Sequence, residues 1–170
     1  IWNKIRRQIT PKIGQITNDE EAINRISTQL VQLVQPNPPL PPPVYHALLS
    51  SLAKAILMQA ETEVTAEKKA AYPLARVTFN LLGTLSFFPE IFYAKLVQRI
   101  GAWPIPCIIP ETDIDKRPWG TGPKGRGRGG ENERARVMGL RTSQSGEGLE
   151  GQSEFMVRCS GVMRVYWEIV

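Results

Sequence analysis

Histidine occurs once and cysteine twice in this sequence, and that shortage excludes more chemistry than any other feature of the composition. Cys107 and Cys159 stand far apart with no ligand spacing, and no Ser or Cys motif frames His46. Neither a zinc site nor a nucleophile with its base can be assembled from such residues, so no enzyme is expected. His46 reads as a packing or capping residue. Two cysteines also cannot build a disulfide framework, and no charged n-region followed by an apolar run opens the chain, which points to a reducing compartment. Long apolar runs are missing as well: Lys, Gln or Pro interrupts each stretch within two or three turns, which argues against a membrane span. No phosphate-loop motif is present. The glycines of "GRGRGG" at 125–130 lie in a segment without flanking strand or helix signals, so they cannot form a nucleotide cradle.

What is present is a foldable chain of 170 residues, 42% hydrophobic against 22% charged, with a formal charge of +5. That surplus permits an anionic partner without reaching the density of a histone-like protein. The first residue is Ile rather than Met, so the chain reads as an internal piece of a longer polypeptide.

Helical periodicity dominates. Thr17 stands three positions before Glu20 as in a capping box, and Ile23, Ile26, Leu30, Leu33 and Val34 follow at helical spacing. Prolines from Pro36 to Pro42 then enforce an extended connector; the alternative, a proline-rich ligand, lacks flanking basic residues. From Pro43 a long helix presents Tyr45, Leu48, Leu49, Leu52, Ile56 and Gln59 on one face. Two more helices follow, with Pro73 and Pro89 in their first turns and Gly101 as a stop. Glu61 and Glu63 point to different sides of the long helix and read as its solvated end.

After Gly101 the composition turns rich in Gly, Arg, Ser and Glu, which reads as a long disordered loop over 102–152. Between Lys116 and Arg141 eight basic residues face only Glu131 and Glu133, a local surplus of +6. Helical spacing returns through Phe155, Cys159, Val162, Met163, Tyr166 and Ile169. The expected architecture is an all-α domain of antiparallel helix pairs spanning 1–170: a basic lead-in at 1–16, a helical array at 17–101, the loop, and a last helix at 153–170.

The basic residues allow two readings each. "RGRGG" within the loop has the composition of arginine-glycine segments that contact single-stranded RNA, or of a solvated insertion. Lys95 and Arg99, with Arg99 two positions before Gly101, either complement a helix dipole or form part of an anion site with Lys54 and the cluster Arg6, Arg7 and Lys12.

The segments "TPKIGQITND", "VYHALLSSLAKAILMQAETEV", "YPLARVTFNLL", "YAKLVQRIGAWPIP" and "RCSGVMRVYWEI" resemble, in order and spacing, the C-terminal domain of the Gle-one family of mRNA export mediators. "VMGLR" at 137–141 is similar to that family's R-M-G-Y-K element. The resemblance implies HEAT-like or MIF4G-like helix pairs, a place at the cytoplasmic face of the nuclear pore, and an activator that binds a DEAD-box RNA helicase and stimulates its ATPase cycle. It also implies inositol hexakisphosphate as a bridging ligand, held at the matching positions Arg6, Lys54, Lys95 and Arg99. The family tends to carry His at the position of Met58 and Lys at that of Gln98, both neutral in this chain. Its domain continues with further helices that dock a Phe-Gly-repeat nucleoporin, so the last helix here is expected to lack a packing partner and to expose an apolar patch. The alternative function is an RNA-binding module acting through Lys124 to Arg141.

Overall fold

The computed structural model describes residues 2–101, 112, 116–118, 135, 136, 138–143 and 148–170. The described residues form six α-helices, and no named strand occurs among them. These are α1 (Trp2–Ile13), α2 (Glu20–Val34), α3 (Pro42–Ala66), α4 (Ala71–Thr84), α5 (Phe88–Ile100) and α6 (Gln152–Ile169), with a short 3-10 turn at Lys68–Ala70. Contacts divide the chain into two compact units, one of 1–95 with 157–170 and one of 96–156. The segment "RGRGG" lies outside the described residues.

In the first unit α1 packs on α3 and α2 packs on α4, while the sequential pairs α1–α2 and α3–α4 also touch. Next-but-one contacts of this kind give the two layers of a HEAT-like array. The core follows from the periodicity. Ile23, Ile26, Leu30 and Val34 are buried on α2, and Leu48, Leu49, Leu52, Ile56 and Leu57 on α3. With helices on several sides, α3 buries a face broader than one stripe, taking in Ala53, Ala60 and Val64 as well. Tyr45 joins three elements through its hydroxyl, which accepts from Gln35 Nε2 at 3.1 Å and donates to the Ser86 carbonyl at 2.9 Å.

Four expectations change. Residues 2–13 are a helix rather than a lead-in: Ile9 and Ile13 are buried, and Lys12 Nζ donates to Gln29 Oε1 at 2.7 Å. Pro11 obscured it, because proline inside a helix removes the bond to the carbonyl four residues back; α1 ends two residues later. The N-cap of α2 is Asp19, not Thr17, and its carboxylate accepts from the Ala22 N–H at 2.9 Å. Asp19→Ala should cost about 1 kcal/mol. A lower urea midpoint at unchanged slope would report it.

Glu61 is the third. Its carboxylate meets Arg158 Nη1 at 3.1 Å, with the side chains only 12% and 8% exposed for Arg158 and Glu61, so it is no solvated helix end. The fourth is the last helix, which does have a partner. Gly161 lies against the Ala60 carbonyl and the Thr65 hydroxyl of α3, so close that any Cβ there would overlap them. Val162 and Val165 are buried beside it, whereas Trp167 and Val170 remain exposed.

Candidate functional site

The four cations sit on three helices. Arg6 is exposed in the second turn of α1, three and seven residues before the buried Ile9 and Ile13, and so continues the stripe that α1 turns inward. Lys54 is exposed on α3, the helix on which α1 packs. With Met58, Glu61 and Thr65 it follows the i, i+4, i+7, i+11 row of one helix face. The far half of that row meets α6 through Arg158 and Gly161; Lys54 and Met58 stand just N-terminal to it. Met58 is 46% exposed, an apolar side chain facing solvent one turn from a cation.

Lys95 and Arg99 lie one turn apart on α5, about 6 Å along its axis, and both are half-buried. Lys95 belongs to the first unit and Arg99 to the second. Arg6 and Lys54 therefore share neighbouring helices, and Lys95 and Arg99 share one helix.

In the second unit the end of α5 is clasped. Gly101 adopts φ 79° and Gly139 φ 94°, left-handed conformations that favour glycine. The two are back to back: a Cβ on Gly101 would overlap the Met138 carbonyl, and one on Gly139 would overlap the Ile100–Gly101 peptide. Arg141 Nη2 donates to the Gln98 carbonyl at 3.0 Å, satisfying an orphan acceptor in the last turn of α5. Arg141 is fixed in turn by Glu150: the Arg141 N–H donates to Glu150 Oε1 at 2.8 Å, and the Glu150 N–H donates to the Arg141 carbonyl at 2.8 Å. Residues 138–141 thus build the C-cap of the helix that carries Arg99. Sequence reasoning missed this role of Arg141; its traces were the glycines at 101 and 139 and the similarity of "VMGLR" to the family's R-M-G-Y-K element.

His46 is exposed and stacks edge-on with Phe87 at 5.5 Å between ring centroids, a packing role. Among the described residues no group of three His, Cys, Asp or Glu side chains gathers as a metal site would require, and no helix is long and apolar enough to cross a membrane. The largest chemistry on offer is cationic and amide side chains presented on rigid helices. A layered helical scaffold of that kind belongs to the HEAT-like class of all-α folds.

Within that class, the chain belongs to the GLE1-like protein family, whose profile matches residues 1–170. It is 37% identical to the mRNA export factor GLE1 of Saccharomyces cerevisiae over 99 residues, 58% of this chain and 18% of that protein. It is 36% identical to the mRNA export factor gle1 of Schizosaccharomyces pombe over 101 residues, 59% of this chain and 21% of that one. The chain thus spans about a fifth of the length of these curated relatives. A solved structure of the S. cerevisiae Dbp5 C-terminal domain bound to Gle1 and IP6 aligns with 99% of this chain and 50% of the matched chain, at a TM-score of 0.73 and 28% identity. A second such complex, containing a Gle1 variant, gives 0.74 at 27% identity.

Proposed function

We propose that this domain binds a DEAD-box RNA helicase related to Dbp5, with inositol hexakisphosphate (IP6) between them, and thereby stimulates the helicase during messenger RNA export at the nuclear pore. The observation that carries the reading is the alignment of nearly the whole chain with Gle1 in a complex that holds both Dbp5 and IP6. Arg6, Lys54, Lys95 and Arg99 are the ligand's side chains in this reading. Each contributes a charge-assisted hydrogen bond of about 1.5–3 kcal/mol, and only a multivalent anion gains from several at once. The domain itself catalyses nothing. It acts by binding one helicase conformation more tightly than another, the sole way a partner shifts such an equilibrium.

Titration calorimetry with IP6 tests the site. Lys95→Gln and Arg99→Gln should each weaken binding by about 10-fold or more, and the wild-type affinity should fall steeply between low and high salt. Heats unchanged in the double variant would remove these residues from the site. Helicase ATPase assays with and without the ligand then test stimulation separately.

A further inference from the structure

Arg99 lies between two peptides that the second unit holds. On one side Arg141 Nη2 donates to the Gln98 carbonyl, and on the other Gly139 is pressed against the Ile100–Gly101 peptide. Whatever fixes residues 139–141 therefore fixes the helical turn that carries Arg99.

Arg141 is fixed by an antiparallel pair of short segments. Thr142 bridges Leu149, the Ser143 N–H donates to the Gly148 carbonyl at 3.2 Å, and the Glu150 N–H donates to the Arg141 carbonyl at 2.8 Å. In a regular antiparallel pair the Arg141 N–H would return the bond to the backbone carbonyl of residue 150. Here it goes to the Glu150 carboxylate instead, with Oε1 at 2.8 Å. The side chain stands in for a backbone acceptor, and the chain leaves the ladder at once: Gly151 is followed by Gln152, the first residue of α6. Ser143 is tied to the start of that helix as well. Its Oγ donates to Glu154 Oε1 and Oε2 at 3.2 and 3.1 Å, and the Gly151 N–H donates to Glu154 Oε2 at 3.1 Å.

We infer that Glu150 is a positioning residue for the polyphosphate site, acting on Arg99 through Arg141; the inference rests on the reading of Arg99 as a ligand side chain. Glu150 is only 7% exposed, and a carboxylate withheld from water costs free energy unless hydrogen bonds compensate it. The bond to the Arg141 N–H is such a compensation, and it commits the carboxylate to one geometry. Two links carry that geometry to the ligand: Arg141 Nη2 holds the Gln98 carbonyl, and residue 99 is the next in the chain. Charge alone argues the other way. Removing a negative charge should, by Coulomb's law, strengthen the binding of a polyanion, so weaker binding without Glu150 can arise only through position.

Substitutions at residue 150 separate the bond from the charge. Glu150→Gln keeps an oxygen that can accept from the Arg141 N–H but loses the charge, Glu150→Asp keeps the charge but falls one methylene short, and Glu150→Leu loses both. Titration calorimetry of IP6 into the full chain should give Glu150→Gln the wild-type affinity or better, and should show Glu150→Asp and Glu150→Leu weaker by about 10-fold, as Arg99→Gln is. Neither should weaken Arg99→Gln further, since a misplaced Arg99 and an absent one are equivalent. Without ligand, amide exchange in the last turn of α5 should quicken in Glu150→Asp and Glu150→Leu and stay at the wild-type rate in Glu150→Gln. Circular dichroism confirms the fold of each variant, and the comparison of Glu150→Asp with Glu150→Gln decides the matter if Glu150→Leu does not fold. Equal affinities in those two, a lower melting temperature with unchanged affinity, losses that add to that of Arg99→Gln, or unchanged exchange would each overturn the inference. If Arg99→Gln itself leaves the affinity unchanged, the polyphosphate reading of that residue fails first, and this inference with it.

Discussion

Arg158→Ala destabilises the first unit by about 3–5 kcal/mol, because it removes one partner of an ion pair whose carboxylate, Glu61, is only 8% exposed. An exposed pair would be worth under about 1 kcal/mol, and burial is what makes the difference. The pair itself need not be favourable relative to an apolar one: the desolvation of two ions offsets much of their attraction. Arg158→Met combined with Glu61→Leu should therefore recover most of the loss. Urea unfolding of the two single variants and the double variant measures the coupling directly. If Arg158→Ala unfolds within about 1 kcal/mol of wild type, the pair is solvent-screened and α6 is held by its packing at Gly161, Val162 and Val165. The same contact explains why "QAETEV" and "RCSGVMRVYWEI" are paired features of this chain: 97 residues apart, they meet at Arg158–Glu61 and again at Gly161–Ala60.

Separation along the chain divides what the sequence discloses from what it conceals. The faces of α2 and α3, the first-turn prolines at 73 and 89, and the stop at Gly101 all depend on neighbours within a turn or two, and periodicity reveals them. Arg158 with Glu61, and Arg141 with the Gln98 carbonyl 43 residues away, depend on tertiary placement that no spacing encodes. Helix α1 was hidden for another reason: Pro11 and a largely polar sequence suppress the helical signal although Ile9 and Ile13 are buried. Spacing could not choose between dipole complement and anion site for Lys95 and Arg99; only the family resemblance favoured the second. Arg141 serves an orphan carbonyl of the last turn of α5, a cap that the spacing around Gly101 did not reveal.

Gly139→Ala is expected to destabilise the second unit by roughly 2–5 kcal/mol, combining about 1–2 kcal/mol for a left-handed non-glycine residue with about 1–3 kcal/mol of overpacking. The overlap is with backbone, the Ile100–Gly101 peptide, so no side-chain rotation relieves it. Either the 138–141 turn withdraws or the end of α5 unwinds. Both outcomes remove the Arg141 cap from the Gln98 carbonyl and free the turn that carries Arg99. The consequence for function is specific: IP6 affinity should fall about as far as in Arg99→Gln, although residue 139 lies outside the proposed ligand shell, and adding Gly139→Ala to Arg99→Gln should cost little more. Such non-additivity marks a positioning residue, since independent contacts would sum. Asn is the natural control, as it tolerates left-handed geometry better than Ala yet still carries the Cβ. Gly139→Asn should therefore remain nearly as damaging as Gly139→Ala. Hydrogen exchange at the amides of the last turn of α5 reads the clasp without any ligand: faster exchange is expected in Gly139→Ala, and unchanged protection would mean that the helix end holds without it.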